Sequence, residues 1–257
     1  MKLRIMTYNI CSGHHYEKEE GYTPCPSQTG PYDLSRCAKV IAGLSPDICG
    51  LNEVDNFMQR TGNISQTDYI ADKTGMSGVF GKAISFSFDP SGAYGNAVLS
   101  KFPIVETEVY TIPDPEIHDE NAWYETRSIT RAVIDVEGVE VTVLQTHFGL
   151  SVSEKQNAVT MLIPIIDSIK TPLVLMGDFN IRPNDFLLNP IRERLLDTAT
   201  LKDGYFKTFP SYETDACVKC KIDYVFMSKH FKPISLTIPE TCASDHHPYV
   251  VEAELNV

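Results

Sequence analysis

Three carboxylates, Glu53, Asp178 and Asp245, stand beside the kinds of polar side chain that phosphate-ester hydrolysis calls for. That reaction needs a hard divalent cation held by oxygen atoms, a positioned water, and donors that take up charge on the phosphoryl oxygens. Asn52-Glu53-Val54, Gly177-Asp178-Phe179-Asn180 and Ser244-Asp245-His246 carry the oxygens. Asn9, Asn180, His147 and His246 offer neutral or cationic donors. Asp223 offers a partner that would fix a histidine's tautomer and raise its basicity. Taken singly, each has an ordinary reading. Asn or Asp after a strand is a turn or cap residue, Glu53 a solvated acid, and Ser244-Asp245-His246-His247-Pro248 a polar turn. Taken together they make a complete set, each at the end of an apolar run, and no serine or cysteine nucleophile motif competes with them.

The elements that must position these residues follow from periodicity. Alternation from Leu3 to Ile10 predicts a strand ending near Asn9. A loop then covers residues 11–32, and Asp33 caps a helix with Leu34, Cys37, Val40, Ile41 and Leu44 on one face. Ser45-Pro46 stops that helix, and residues 47–52 return as a buried strand that delivers Glu53 at its end. Ile129 to Val136, the turn Glu137-Gly138, and Val139 to His147 form a hairpin. Ser153 to Gln156 has capping-box spacing for a helix with Leu162, Ile165, Ile166 and Ile169 inward, which Pro164 should kink. Leu173 to Met176 runs into Gly177-Asp178-Phe179-Asn180, and late strands cover 222–226 and 249–253. The strands 3–9 and 173–180 echo one another, each running from apolar residues to a polar end. The expected fold is α/β (α+β): two mainly antiparallel sheets packed face to face, helices outside, and polar strand ends meeting at one rim.

No Gly/Ser-rich or Pro-rich linker divides the 257 residues, so a single domain over 1–257 is expected. The composition, 42% apolar and 22% charged, is that of an ordinary globular chain. No apolar run approaches the ~20 residues of a membrane span, and Met1 to Met6 lead directly into a strand without a signal core, so a cytoplasmic location is expected. The formal charge, 22 − 34 = −12, disfavours a nucleic-acid partner, since binding polyanions relies on basic contacts to phosphates. Seven cysteines, an odd number, read as reduced thiols. Cys217 and Cys220 form a lone CxxC with no second ligand pair for zinc, and are read as structural or incidental, with metal or redox use the alternative.

Thr7-Tyr8-Asn9-Ile10, Asn52-Glu53-Val54, Gly95-Asn96-Ala97-Val98-Leu99-Ser100, Gln145-Thr146-His147, Gly177-Asp178-Phe179-Asn180, Ile222-Asp223-Tyr224 and Ser244-Asp245-His246 occur in that order. The set resembles the endonuclease/exonuclease/phosphatase superfamily, which includes deoxyribonuclease I, AP endonucleases, neutral sphingomyelinases, inositol polyphosphate 5-phosphatases and deadenylases. The resemblance spans residues 3–254 and implies a four-layer α/β/β/α sandwich. It implies that Glu53 is the principal Mg²⁺ ligand, with Mn²⁺ able to substitute, and that Asn9 and Asp245 lie in or near the metal shell. Asp178 would orient or deprotonate the attacking water, Asn180 would hydrogen-bond the phosphoryl oxygen, and His246 with Asp223 would act as general base or phosphate clamp. His147 would contact the phosphate or assist the leaving group, while Arg127, Arg131 and Asn96 would lie on the substrate side. Arg127 and Arg131 share one strand face. Cys11 stands where AP endonucleases place an acid, and no counterpart of their damage-site tyrosine precedes His147.

Residues 106–126 hold seven acids, Glu106, Glu108, Asp114, Glu116, Asp119, Glu120 and Glu125, no Lys or Arg, and Trp123, the sole tryptophan. If this segment borders the site it repels a long polyanion. The 11–32 loop, with His14, His15 and Tyr16, follows a catalytic strand end and is a candidate substrate rim. The leading expectation is therefore a Mg²⁺-dependent hydrolase of a small or lipid-like phosphoester. A nuclease of the same fold and a catalytically silent binding module are the alternatives.

Overall fold

The alternation read from the sequence is realised in a computed structural model that describes residues 1–15, 31–118, 123–210 and 219–256. Among the described residues the chain runs β1 (Lys2–Asn9), α1 (Leu34–Leu44), β2 (Ile48–Asn56), α2 (Gln66–Thr74), β3 (Ser77–Phe86), β4 (Asp89–Ser100), β5 (Ile104–Ile112) and β6 (Arg127–Val136). It continues through β7 (Val139–His147), α3 (Val152–Ser168), β8 (Leu173–Asp178), α4 (Asn189–Arg192), β9 (Leu196–Asp197), β10 (Asp223–Met227), β11 (Phe231–Thr237) and β12 (Tyr249–Leu255). The strands form two six-stranded sheets, ordered β11-β12-β1-β2-β4-β3 and β5-β6-β7-β8-β10-β9. In each sheet one central pair is parallel, β1–β2 and β7–β8, and the other pairings are antiparallel.

A parallel pair needs a crossover, and α1 and α3 provide it on the outer faces. Ile5, Ile48 and Val98 of the first sheet meet Val143, Val174 and Val225 of the second in a core between the sheets. Leu34, Cys37 and Ile41 of α1 with Ile70 of α2 cover the far side of the first sheet. Ala158, Leu162 and Ile166 of α3 cover the far side of the second. Each fully buried aliphatic side chain contributes about 1.5–3 kcal/mol, so every layer has its own reason to stay in place. The result is the four-layer α/β/β/α sandwich. Among the described residues, no helix is long and apolar enough to cross a membrane.

The strand echo has a structural counterpart. β1 lies between parallel β2 and antiparallel β12, and β8 lies between parallel β7 and antiparallel β10. Their polar ends therefore arrive at the same rim, from opposite sheets.

Local details depart from the sequence reading in three places. The two halves are not contiguous, because β11 and β12 return to the first sheet. The capping box of α3 is Ser151 with Glu154 rather than Ser153 with Gln156. The helix runs unbroken through Pro164, which is exposed on its outer side. The Asp33 cap of α1 is as expected, its side chain accepting from the Ser35 N–H.

Candidate active site

Strand register builds the centre of the rim. His147 on β7 and Asp223 on β10 both face Asp178 on β8 across the second sheet. Asn9 and Asn52 face one another on β1 and β2 of the first. The sheets meet where the Asn9 amide, Nδ2, donates to Glu53 Oε1 at 2.9 Å and to Asp178 Oδ2 at 3.2 Å. Asn9 Oδ1 accepts from the Cys11 N–H at 3.0 Å, which settles which end of the amide faces the acids. Asn9, expected in or near the metal shell, thus lies against Glu53. Its nitrogen holds two carboxylates together while its oxygen turns to the backbone.

Glu53 does not end its strand as expected. β2 continues to Asn56, and the register slips between Leu51 and Val54, so Glu53 is set in a bulge at φ 56°. A non-glycine residue in that region costs about 1–3 kcal/mol and persists where its surroundings over-determine it. Here Ser12 Oγ lies 3.2 Å from the Glu53 carbonyl and 3.2 Å from Asp55 Oδ1. Asp55 is itself clamped by Arg60 through two contacts of 2.7 Å, and Gln66 ties Ser12 O to the Asp55 N–H. The bulge swings the Glu53 carboxylate out of the alternating pleat and toward Asn9.

On the second sheet, Gly177 has φ +145° and approaches Thr146 O so closely that a Cβ would lie 1.8 Å from it, which only glycine permits. Asn180, also left-handed at φ 51°, closes a turn by donating its N–H to Asp178 Oδ1 at 2.9 Å. Its side-chain amide donates to Phe148 O at 3.0 Å and lies 3.2 Å from His147 Nε2. Buried Asn52 links the sheets by accepting from the Asp178 N–H at 2.9 Å and donating to Thr146 O at 2.8 Å.

The two histidines carry opposite electrostatics. His147 Nδ1 lies 3.0 Å from Arg127 Nη1. A guanidinium only donates, so Nδ1 presents its lone pair and the proton sits on Nε2, 3.6 Å from Asp178 Oδ2. Burial, then the charges of Arg127 and His246, push His147 well below the usual histidine range and keep it neutral. His246 Nδ1 donates to Asp223 Oδ2 at 2.8 Å, and its Nε2 lies 3.6 Å from the same Asp178 oxygen. Burial alone would lower it, but the charge and hydrogen bond of Asp223, with Asp178 and Asp245, raise it to about 10. Asp178 itself is raised to about 7 by burial and Asp223, against the pull of His246, the Asn180 N–H and Asn9.

Two groupings offer metal-ligand atoms. Asp178, Asp223 and His246 bring such atoms within 4.8 Å of one another. Within it, His246 already donates to Asp223, and a metal there would have to displace that proton. The Glu53–Asp245 side fits a hard cation better. Burial raises Asp245 to about 6, His246 opposes the rise, and the Glu53 charge adds to it. A divalent ion between the two carboxylates would relieve that repulsion.

The structure separates the substrate-side expectations. Arg127 and Arg131 share a face, but only Arg127 reaches the site. Arg131 pairs instead with Glu106 on the neighbouring strand. Asn96 is 1% exposed, its oxygen taken by Asn52 and its nitrogen by Ser128, so it supports Asn52 instead of facing substrate. The acidic segment does border the site. Glu125 accepts from Trp123 Nε1 and lies 3.1 Å from Arg127 Nη2. Asp119, Glu120, Tyr16 and Cys217 lie outside the described residues.

With this geometry in view, the comparisons are specific. The profile of the Endonuclease/Exonuclease/phosphatase family matches residues 6–246. The chain belongs to that family. A family member from Beutenbergia cavernae superposes with a TM-score of 0.78 at 24% identity, over 99% of this chain and 72% of that one. Another, from Bacteroides vulgatus, gives 0.75 at 20% identity over 100% of both chains. A mannosyl-6-phosphatase from Bacteroides thetaiotaomicron gives 0.71 at 17% identity, over 98% of this chain and 100% of that one. No curated protein sequence matches. Endonuclease/exonuclease/phosphatase proteins are hydrolytic phosphoesterases and nucleases that generally depend on a divalent metal. In this member, sequence reasoning quoted Asn52 in a motif without a role and passed over Ser12, Asp55, Arg60 and Gln66. Asn52 had a signal, its adjacency to Glu53. The others had none, since they act through tertiary neighbours.

Proposed function

We propose that this chain hydrolyses a compact phosphoester, a monoester or diester, with Mg²⁺ as its native cation and Mn²⁺ as a substitute. The observation that carries the reading is the Asp178 carboxylate, 3.6 Å from the Nε2 atoms of both a neutral and a charged histidine. Glu53 and Asp245 are the residues that would hold the cation, with Asn9 bracing Glu53. A cation held there would supply charge neutralisation at the phosphoryl oxygens and acidify a water. His246, protonated on Asp223, is a donor to those oxygens and a poor base. Asp178, poised near neutrality, is the better proton acceptor for water. Asn180 and the Nε2–H of His147 stand ready as further donors to the phosphate, and buried Arg127 keeps that proton on Nε2.

Compactness of the substrate is supported by the formal charge of −12 and by Glu125 at the edge of the site. Tracking along a polyanion would need several basic contacts and would fall steeply with salt. The mannosyl-6-phosphatase of like fold has a compact phosphomonoester in its name, which agrees with this reading. The test compares kcat/KM for a panel of small phosphoesters and for plasmid DNA, with Mg²⁺, with Mn²⁺ and in excess chelator. Turnover of small esters that chelation abolishes and salt barely changes is expected. Full activity in chelator would refute the metal role, and plasmid nicking with steep salt dependence and no ester turnover would replace the substrate class.

A further inference from the structure

Beside the catalytic rim lies a cavity of about 430 Å³ whose charge is opposite to that of the whole molecule. Arg182, Lys202, Lys219 and Lys221 line it, with the rings of Tyr205 and Phe206, and no acid does so among the described residues. In a chain of net charge −12 such a concentration of bases needs a reason. The exposed Arg182 and Lys202 make no side-chain hydrogen bond or ion pair with any described residue. Lys221 is 2% exposed, and its Nζ meets no hydrogen-bond acceptor among the described residues, resting over the rings of Tyr224 and Tyr249 at 2.8 and 5.6 Å from their centroids.

The cavity is joined to the active site by its own walls. Arg182 follows Asn180 by two residues and Lys221 precedes Asp223 by two, so in each case the backbones are no more than about 7 Å apart. Phe206 leads into Thr208, whose Oγ1 accepts from the N–H groups of Ile222 and Asp223 at 3.1 and 3.3 Å. The Phe209 ring next to it packs on His246 with centroids 4.8 Å apart. The volume is that of a small-ligand site.

We propose that this cavity is a second anion subsite. It takes a phosphate, sulfate or carboxylate group on the part of the substrate that is not cleaved, with exposed Tyr205 offering a face for the ring that carries it. The proposal rests on the phosphoester-hydrolase reading and narrows its substrates to compact esters with two anionic groups.

The test uses the full chain and the variant Arg182→Glu/Lys202→Glu, altered only at exposed positions. Lys2→Glu/Lys232→Glu, which changes charge equally at other exposed sites, is the control. The substrate pair is a hexose monophosphate and a hexose bisphosphate. Wild type should favour the bisphosphate by about tenfold in kcat/KM, mainly through KM, as one charge-assisted contact is worth. Arg182→Glu/Lys202→Glu should lose that preference while monophosphate turnover changes less than about twofold, and the control should keep it. Binding is read separately by equilibrium dialysis of labelled sulfate against metal-free protein. The cavity variant should bind about tenfold more weakly, while His246→Ala retains the cavity-dependent sulfate. If no ester is turned over, the hydrolase reading fails and the dialysis still reports on the cavity. Equal sulfate affinity in wild type and the cavity variant would overturn the subsite. So would plasmid nicking that the cavity variant alone abolishes, which would assign the bases to a polynucleotide.

Discussion

At the scale of single residues, the distinctive feature is that one carboxylate is shared by two histidines in different charge states. Asp223 makes the difference, since His147 has a guanidinium at its Nδ1 where His246 has a carboxylate. Replacing Asp223 with Asn removes a charge that raises His246, and a carboxylate partner is worth about 1–3 units. In chelated protein, NMR titration of the His246 ring in Asp223→Asn should show its pKa lowered by at least about one unit. An unchanged value would mean that Asp178 and Asp245 alone hold the proton. The link to stability has a definite sign. A histidine raised from 6.5 to about 10 stabilises the fold fully below its unfolded pKa, and that contribution is lost as pH rises toward the folded one. In catalysis, Asp178→Asn and His246→Ala should each lower turnover by at least ~10²-fold. Their double variant should fall far short of the product, because in the proposed mechanism both groups act on one water and phosphate. Near-wild-type turnover in either single variant would remove that residue from the mechanism.

At the scale of elements, the site depends on how strand ends are tied across two sheets. Asn52 belongs to β2, yet its amide joins the Asp178 N–H and the Thr146 carbonyl of the other sheet, and Asn96 and Ser128 hold it there. Asn52→Ala would take the partner from one buried donor, the Asp178 N–H, and two buried acceptors, Thr146 O and Asn96 Oδ1, at about 1–3 kcal/mol for each group left unpaired. Urea unfolding should show a loss of about 2 kcal/mol or more, and kcat should fall although Asn52 touches no substrate. Unchanged stability would show that water or a rearranged Asn96 takes over these bonds. The Glu53 bulge is the counterpart on the first sheet, where Ser12, Asp55, Arg60 and Gln66 hold the backbone in its left-handed state.

At the scale of the whole molecule, the fold gathers acids that resist sharing one place. Asp178 and Asp245, raised to about 7 and about 6, bind protons more tightly folded than unfolded. Their ionisation therefore erodes stability as pH climbs from the ordinary carboxylate range, near 3.8, toward those values. A cation on Glu53 and Asp245, as proposed, would offset that repulsion and stabilise the native state by mass action. Mg²⁺ or Mn²⁺ should then raise Tm more at pH 7.5 than at pH 5, and Glu53→Gln should remove most of the gain. Calorimetry showing no metal-dependent shift at either pH would count against this cation site.

The sequence by itself determined the layers and the inventory. Alternation, the Asp33 cap and the Glu137-Gly138 turn depend on neighbours a few residues away, so spacing alone exposes them. The clustering of Glu53, Asp178, Asn180, Asp245 and His246 was legible because each ends or follows an apolar run. Tertiary structure alone decided which of these side chains touch and in what charge state. Asn9 meets Asp178 across 169 residues of chain, and Asn96 and Arg131 turn out to be occupied by protein partners. Long-range pairing follows from how two sheets stack, and proton affinity from every charge and buried surface around a group. Neither quantity is local in the chain, so neither has a local signature in the sequence.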